Sequence, residues 1–101
     1  MSKFNKILFT GSTGRFGKIF KKLHKEKKYL YPTRKKLDIN NTLSVKKYFK
    51  KNKPNLVIHC AALSRPMDIH EKKIEKSIIT NIIGTSNLVV ECIKKKIKII
   101  Y

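Results

Sequence analysis

Three glycines at three-residue intervals, Gly11, Gly14 and Gly17, follow the short apolar run Ile7-Leu8-Phe9-Thr10 and overlap the start of apolar residues at helical spacing, Phe16, Ile19, Phe20 and Leu23. That is a strand, a tight glycine turn and a helix. Glycine at the turn permits positive φ, a middle glycine lets a diphosphate approach the backbone, and a third lets helix and strand pack closely. The helix N-terminus then offers N–H groups and a positive dipole end to an anion. The plainer alternative is a tight turn that holds nothing. The spacing G-x-x-G-x-x-G differs from the G-x-G-x-x-G of ordinary dinucleotide folds, and it lacks the Gly-Lys-Ser/Thr ending of a P-loop, which argues against ATP hydrolysis.

Further elements follow in alternation. Tyr29-Leu30-Tyr31 before Pro32 predicts a second strand, and Asn40 or Asn41 is placed to cap a helix carrying Leu43, Val45, Tyr48 and Phe49. After Pro54, the continuous apolar run from Leu56 to Ala62 predicts a strand buried on both faces of a parallel sheet. From about Glu71 to Lys95, Ile74, Ile78, Ile82, Val89 and Ile93 recur at mostly helical intervals, predicting a long amphipathic helix with a bend near Gly84. Ile97 to Tyr101 reads as a last strand. Right-handed crossovers turn this order into an α/β doubly wound parallel sheet, with spatial order 2-1-3-4 and a ligand crevice at the carboxyl ends of strands one and three. The 101 residues make one such domain, and no internal repeat or linker marks a second.

Composition narrows the function classes. An apolar fraction of 41% is too high for a disordered tail. Twenty-five Lys and Arg against six Asp and Glu give a net charge of +19, which raises nucleic acid or an anionic surface as partners. The lysines, however, fall at the solvent positions of three helices. Arginine is limited to Arg15, Arg34 and Arg65, and no helix-turn-helix, RNP or zinc pattern occurs. Specific nucleic acid is therefore not expected as a partner, whereas salt-sensitive nonspecific association is. Cys60 and Cys92 show no Cys-x-x-Cys spacing and the three histidines no metal spacing, so a reduced, cytoplasmic chain without a metal is expected. Neither a signal-peptide core nor the ~18–20 apolar residues of a membrane span is present in these 101 residues.

Four segments occur together in a familiar order: Ile7 to Gly17, Leu37-Asp38-Ile39, Pro54 to Ala62, and Asn81 to Leu88. In this the chain resembles the N-terminal half of an extended short-chain dehydrogenase/reductase, above all the group of dTDP-4-dehydrorhamnose reductase and GDP-fucose synthase. The resemblance implies that the turn of Gly11, Thr13, Gly14, Arg15, Phe16 and Gly17 holds the pyrophosphate of a nicotinamide dinucleotide. It places Asp38 and Ile39 beside the adenine, with the Asp38 carboxylate accepting from the amino group; the alternative is that Asp38 begins a helix-capping turn. Cys60, Ala61 and Ala62 would end the strand at the nicotinamide-side ribose, or be small only for packing. Ser64 would face the same cleft or be a loop hydroxyl. Asn81 matches the helix asparagine that organises the family's proton relay, or lies on the helix surface. The cofactor follows from charge: an acidic residue after the second strand suits a ribose 2′-OH and a basic one a 2′-phosphate. Thr33-Arg34-Lys35-Lys36 therefore predicts NADP(H) over NAD(H), with Arg34 as the contact.

By the same resemblance the function is NAD(P)-dependent reduction or epimerisation of a nucleotide-activated sugar. The family's catalytic Tyr and Lys would both fall after Tyr101, and no Tyr-x-x-x-Lys stands in that place here. The expectation is a truncated dinucleotide-binding domain with most of a cofactor site and no turnover alone. Its rivals are a non-catalytic NAD(P)-binding sensor and a basic nucleic-acid-binding protein. The final strand would leave an open apolar edge that favours self-association into a homo-oligomer.

Overall fold

A computed structural model of the chain describes residues 4–60 and 71–101. Among these, the elements alternate as β1 (Ile7–Thr10), α1 (Arg15–Leu23), β2 (Tyr29–Leu30), α2 (Thr42–Asn52), β3 (Leu56–His59), α3 (Glu71–Lys95) and β4 (Lys98–Ile100). The four strands pair in parallel in the order β2-β1-β3-β4. The chain thus moves outward from β1 to β2, crosses back to β3, and continues to β4. The direction of winding reverses between β1 and β3, where Thr10 pairs with His59 in register.

Local chemistry sets the boundaries. Asn41, not Asn40, caps α2: its side-chain oxygen accepts from the Ser44 amide at 3.1 Å. Lys53 ends that helix in the left-handed region at φ 48, and the buried Pro54 follows at once. Lys96, at φ 56, closes α3 in the same way. β2 is shorter than its apolar run suggests, because Tyr31 leaves the ladder and donates its hydroxyl to the His24 carbonyl at 2.6 Å.

Alternation along the strands divides the core between two faces. Leu8 and Val57 pack with Leu37, with Val45 and Phe49 of α2, and with Leu88 and Cys92 of α3. Phe9 points to the other face, where its ring stacks on Phe20 of α1 at 4.5 Å. Helices therefore cover both sides of the sheet, α1 on one and α2 with α3 on the other.

The covered faces of the helices differ from those that periodicity alone suggests. Among the α3 positions whose burial is described, the buried ones are Gly84, Leu88, Glu91 and Cys92, while Ile82 is 60% and Ile93 72% exposed. Phe16 and Ile19 of α1 are likewise 60% exposed. Leu88 and Cys92, not the exposed isoleucines, enter the core from α3, and Gly84 lets the helix approach the 37–41 loop, where a Cβ would lie 2.6 Å from Ile39 Cδ1.

Candidate functional site

The three glycines do different work. Gly11 sits at φ +86, and a Cβ there would lie 2.2 Å from the Cys60 carbonyl oxygen. Gly17 has an ordinary backbone, yet a Cβ would fall 2.0 Å from the Gly11 carbonyl oxygen and 2.7 Å from Ser12 Cα. Both glycines are required by packing alone. Gly14 is unlike them: the nearest atom to its Cβ position is the Gly11 carbonyl oxygen at 3.6 Å. It is the N-cap of α1, with no side-chain cap and no acidic residue in the first turn. The free amides of that turn and the open side of Gly14 form a cradle at the carboxyl end of β1.

Cys60 closes the other side of this crevice. It follows β3 directly, donates its amide to the Thr10 carbonyl at 3.1 Å, and is half-buried. Thr13, Arg15 and Phe16 are exposed around the turn. Ala61, Ala62 and Ser64 lie outside the described residues.

Arg34 is exposed beyond the carboxyl end of β2, in a turn closed by Lys36 and Leu37 amides donating to the Thr33 carbonyl at 3.0 and 2.9 Å. Asp38 forms a turn of its own. Its Oδ1 accepts from the Asn40 amide at 3.1 Å, and its amide donates to Ser44 Oγ at 2.9 Å, so it leads the chain into α2. The side chain of Ile39 is pressed onto α3, where a Cβ on Gly84 would lie 2.6 Å from its Cδ1. Its carbonyl accepts from Asn87 Nδ2 at 2.8 Å. The 37–41 loop is therefore held against α3 by an absent side chain and one amide. Asn81 is half-buried one turn before Thr85 on the same side of α3.

Sequence reasoning missed a buried polar link beneath the turn. His59 Nδ1 hydrogen-bonds Thr10 Oγ1 at 2.5 Å, and its Nε2 hydrogen-bonds Thr85 Oγ1 at 2.9 Å. One side chain thereby joins β1, β3 and α3 at the level where the crevice opens. Burial holds its pKa below the usual histidine value, keeping the ring neutral. Period-two alternation, which sets His59 on the same face as Val57, was the available signal.

A tyrosine and a lysine at Tyr-x-x-x-Lys spacing do occur, at Tyr31 and Lys35. Burial raises the Tyr31 pKa, and its hydroxyl is spent on the His24 carbonyl, so this pair is not a proton donor to the crevice. Burial likewise pushes the Cys92 thiol up to about 11, which makes it a core residue and not a nucleophile.

A parallel sheet that reverses its winding between β1 and β3, with a glycine turn at that point, defines a Rossmann-like α/β protein. Residues 5–101 match the family described as the RmlD substrate binding domain, and the chain belongs to that family. Its backbone is similar to a dTDP-4-dehydrorhamnose reductase from Bacillus anthracis in complex with NADP, with TM-score 0.81 and 27% identity over 100% of this chain and 36% of the other. It is also similar to a dTDP-4-dehydrorhamnose reductase ortholog from Clostridium acetobutylicum, with TM-score 0.71 and 33% identity over 93% and 34% of the two chains. The methionine adenosyltransferase 2 subunit beta of Xenopus tropicalis is 32% identical over an alignment of 95 positions that covers 85% of this chain and 28% of that protein. The chain spans about a third of the length of these relatives.

Proposed function

We propose that this chain forms the NADP-binding part of a nucleotide-sugar reductase of the dTDP-4-dehydrorhamnose reductase type. The observation that carries the reading is the contrast among the glycines: two are demanded by packing, while Gly14 leaves room on the ligand side of a helix start without a side-chain cap. Solved relatives with NADP bound, the Bacillus anthracis reductase and a GDP-L-fucose synthetase from Naegleria fowleri, support the choice of cofactor.

On this reading the amides of Arg15, Phe16 and Gly17 donate to the pyrophosphate, Gly14 leaves room for it while its own amide closes the turn on the Gly11 carbonyl at 3.2 Å, and Gly11 and Thr13 shape the turn below it. Arg34 pairs with the 2′-phosphate as a charge-assisted, bidentate donor. Asp38 Oδ2 accepts from the adenine amino group, while Ile39, anchored on Gly84, sets the height of that loop. Cys60, with Ala61 and Ala62, borders the nicotinamide-side ribose, and Ser64 and Asn81 flank the reacting end. Bound nicotinamide supplies the hydride for a sugar carbonyl. The side chains described here hold and orient the dinucleotide, and the catalytic acid is not among them, so no turnover is expected from the 101 residues alone.

Titration of the purified chain with NADPH, followed by nicotinamide fluorescence, is expected to saturate, with NADH binding more weakly. Arg34→Ala is expected to weaken NADPH binding by about tenfold, the ~1.4 kcal/mol of one charged contact, and to leave NADH unchanged. Equal losses for the two cofactors would remove Arg34 from the 2′-phosphate. Reduction of a 4-keto sugar nucleotide by this polypeptide would contradict the division of labour.

A second reading, a cofactor-binding subunit without chemistry of its own, is supported by the likeness to a protein named as a subunit of methionine adenosyltransferase. The reading frame after Tyr101 separates the two. A Tyr-x-x-x-Lys there favours the reductase, and its absence the subunit.

A further inference from the structure

We propose that the β2 edge of this protein is a sequence-tolerant binding surface for single-stranded nucleic acid. Two clefts meet there. One, of about 650 Å³, runs from Ser12 and Thr13 along α1 and is lined by Lys18, Lys21, Lys22, Lys25 and Lys27. The other, of about 840 Å³, lies between β2 and α2 and is lined by Lys35, Lys36, Lys47 and Lys51. Tyr29 and Tyr31 line both, which makes the two one groove around the sheet edge.

In the sequence these lysines are spread over two helices and their flanking loops. The fold collects them because α1 delivers the chain to β2 on one face of the sheet and α2 leaves on the other. Among the described residues, Glu26 is the one acidic side chain on the groove: Asp38 is engaged in its turn and Glu91 is buried on α3. Like charges on both walls of a concave surface raise the local potential and concentrate a polyanion there.

The tyrosines say which polyanion. Their rings are nearly parallel, 18° apart with centroids at 6.1 Å. The ammonium of Lys21 lies 5.5 Å from the Tyr31 centroid, and that of Lys28 5.4 Å from the Tyr29 centroid. Aromatic faces beside cations are what an unpaired strand uses, base to ring and phosphate to ammonium. A duplex keeps its bases stacked away from such rings. No arginine lines either cleft among the described residues, so bidentate reading of base edges is lacking and binding is indifferent to sequence.

Fluorescence anisotropy with a labelled oligothymidylate, over a series of salt concentrations, tests the proposal. Combining Lys22→Gln, Lys36→Gln and Lys47→Gln is expected to weaken binding about tenfold or more and to lower the log–log salt slope by about 2, near 0.7 per lost phosphate contact. Combining Lys76→Gln, Lys94→Gln and Lys98→Gln removes the same charge outside the groove and is expected to cost less than about threefold. Equal losses in the two triple variants, or no binding by the wild type, overturn the proposal. Tyr29→Leu is expected to weaken the single strand about fivefold with the slope unchanged. Should that variant unfold, the comparison with a duplex of the same length decides: a duplex bound as tightly as the single strand overturns the assignment.

Discussion

Gly17→Ala is expected to destabilise the protein by about 3 kcal/mol or more, because the added carbon meets backbone and not a side chain that can turn away. The obstacles are the Gly11 carbonyl oxygen at 2.0 Å and Ser12 Cα at 2.7 Å. Relief requires α1 to move off the end of β1, which would uncover the Phe9–Phe20 stack. Domains of this size are stable by only ~5–15 kcal/mol, so the melting temperature should fall by more than about 10 °C, measured by circular dichroism. Gly14→Ala is the paired experiment. Its φ of −75 and ψ of 174 suit any residue, and 3.6 Å of clearance admits the methyl group. Its stability should stay within about 1 kcal/mol of wild type, the cost of a poorer N-cap. Its affinity for NADPH should nevertheless drop by about tenfold or more, since the methyl group occupies the side from which a diphosphate approaches. An unchanged affinity in Gly14→Ala would remove the pyrophosphate from that turn.

His59→Leu is expected to cost about 2–4 kcal/mol, although leucine fills much of the same space. Its effect comes from the two threonines: Thr10 is buried and Thr85 half-buried, and each loses its bond to the ring. A dependence on pH distinguishes this loss from simple repacking. Burial lowers the pKa of His59 from the ordinary value of 6.5 in the folded state. As the pH falls through 6.5, the unfolded chain takes up a proton that the folded chain does not, so stability falls on the acid side. Urea midpoints of the wild type should therefore decline below about pH 6.5. The decline should be shallower in His59→Leu. Parallel declines in the two proteins would mean that the ring takes up its proton in the fold as readily as in the unfolded chain.

The order of elements was legible in the sequence because strands and helices write different periods, and turn residues separate them. Asn41, Lys53-Pro54 and the glycine turn are local signals of that kind, and each acts through neighbours within a few residues. The α3 stripe was the exception. Periodicity pointed to Ile78, Ile82 and Ile93, all of which are exposed, whereas Gly84, Leu88 and Cys92 make the contact. An apolar stripe records that a surface is apolar and not which neighbour covers it. The 37–41 loop is close enough to α3 only because residue 84 has no side chain, and that distance is a property of two segments far apart in the chain.

The candidate site divides along the same line. Gly11, Gly14 and Gly17 stand out as a motif, but only the distances around them separate the two that packing demands from the one left open. The link from Thr10 through His59 to Thr85 depends on strand register and on where α3 lies, and no window of sequence contains it. The lysines likewise read as three solvated helix faces until the crossovers bring those of α1 and α2 to one sheet edge. Short-range chemistry, written in residue order, determined the alternation of elements, the turn and the caps. Tertiary packing alone decided which apolar faces are covered, which glycine is open to a ligand and which charges share a groove, because those depend on distances between segments that the chain order does not encode.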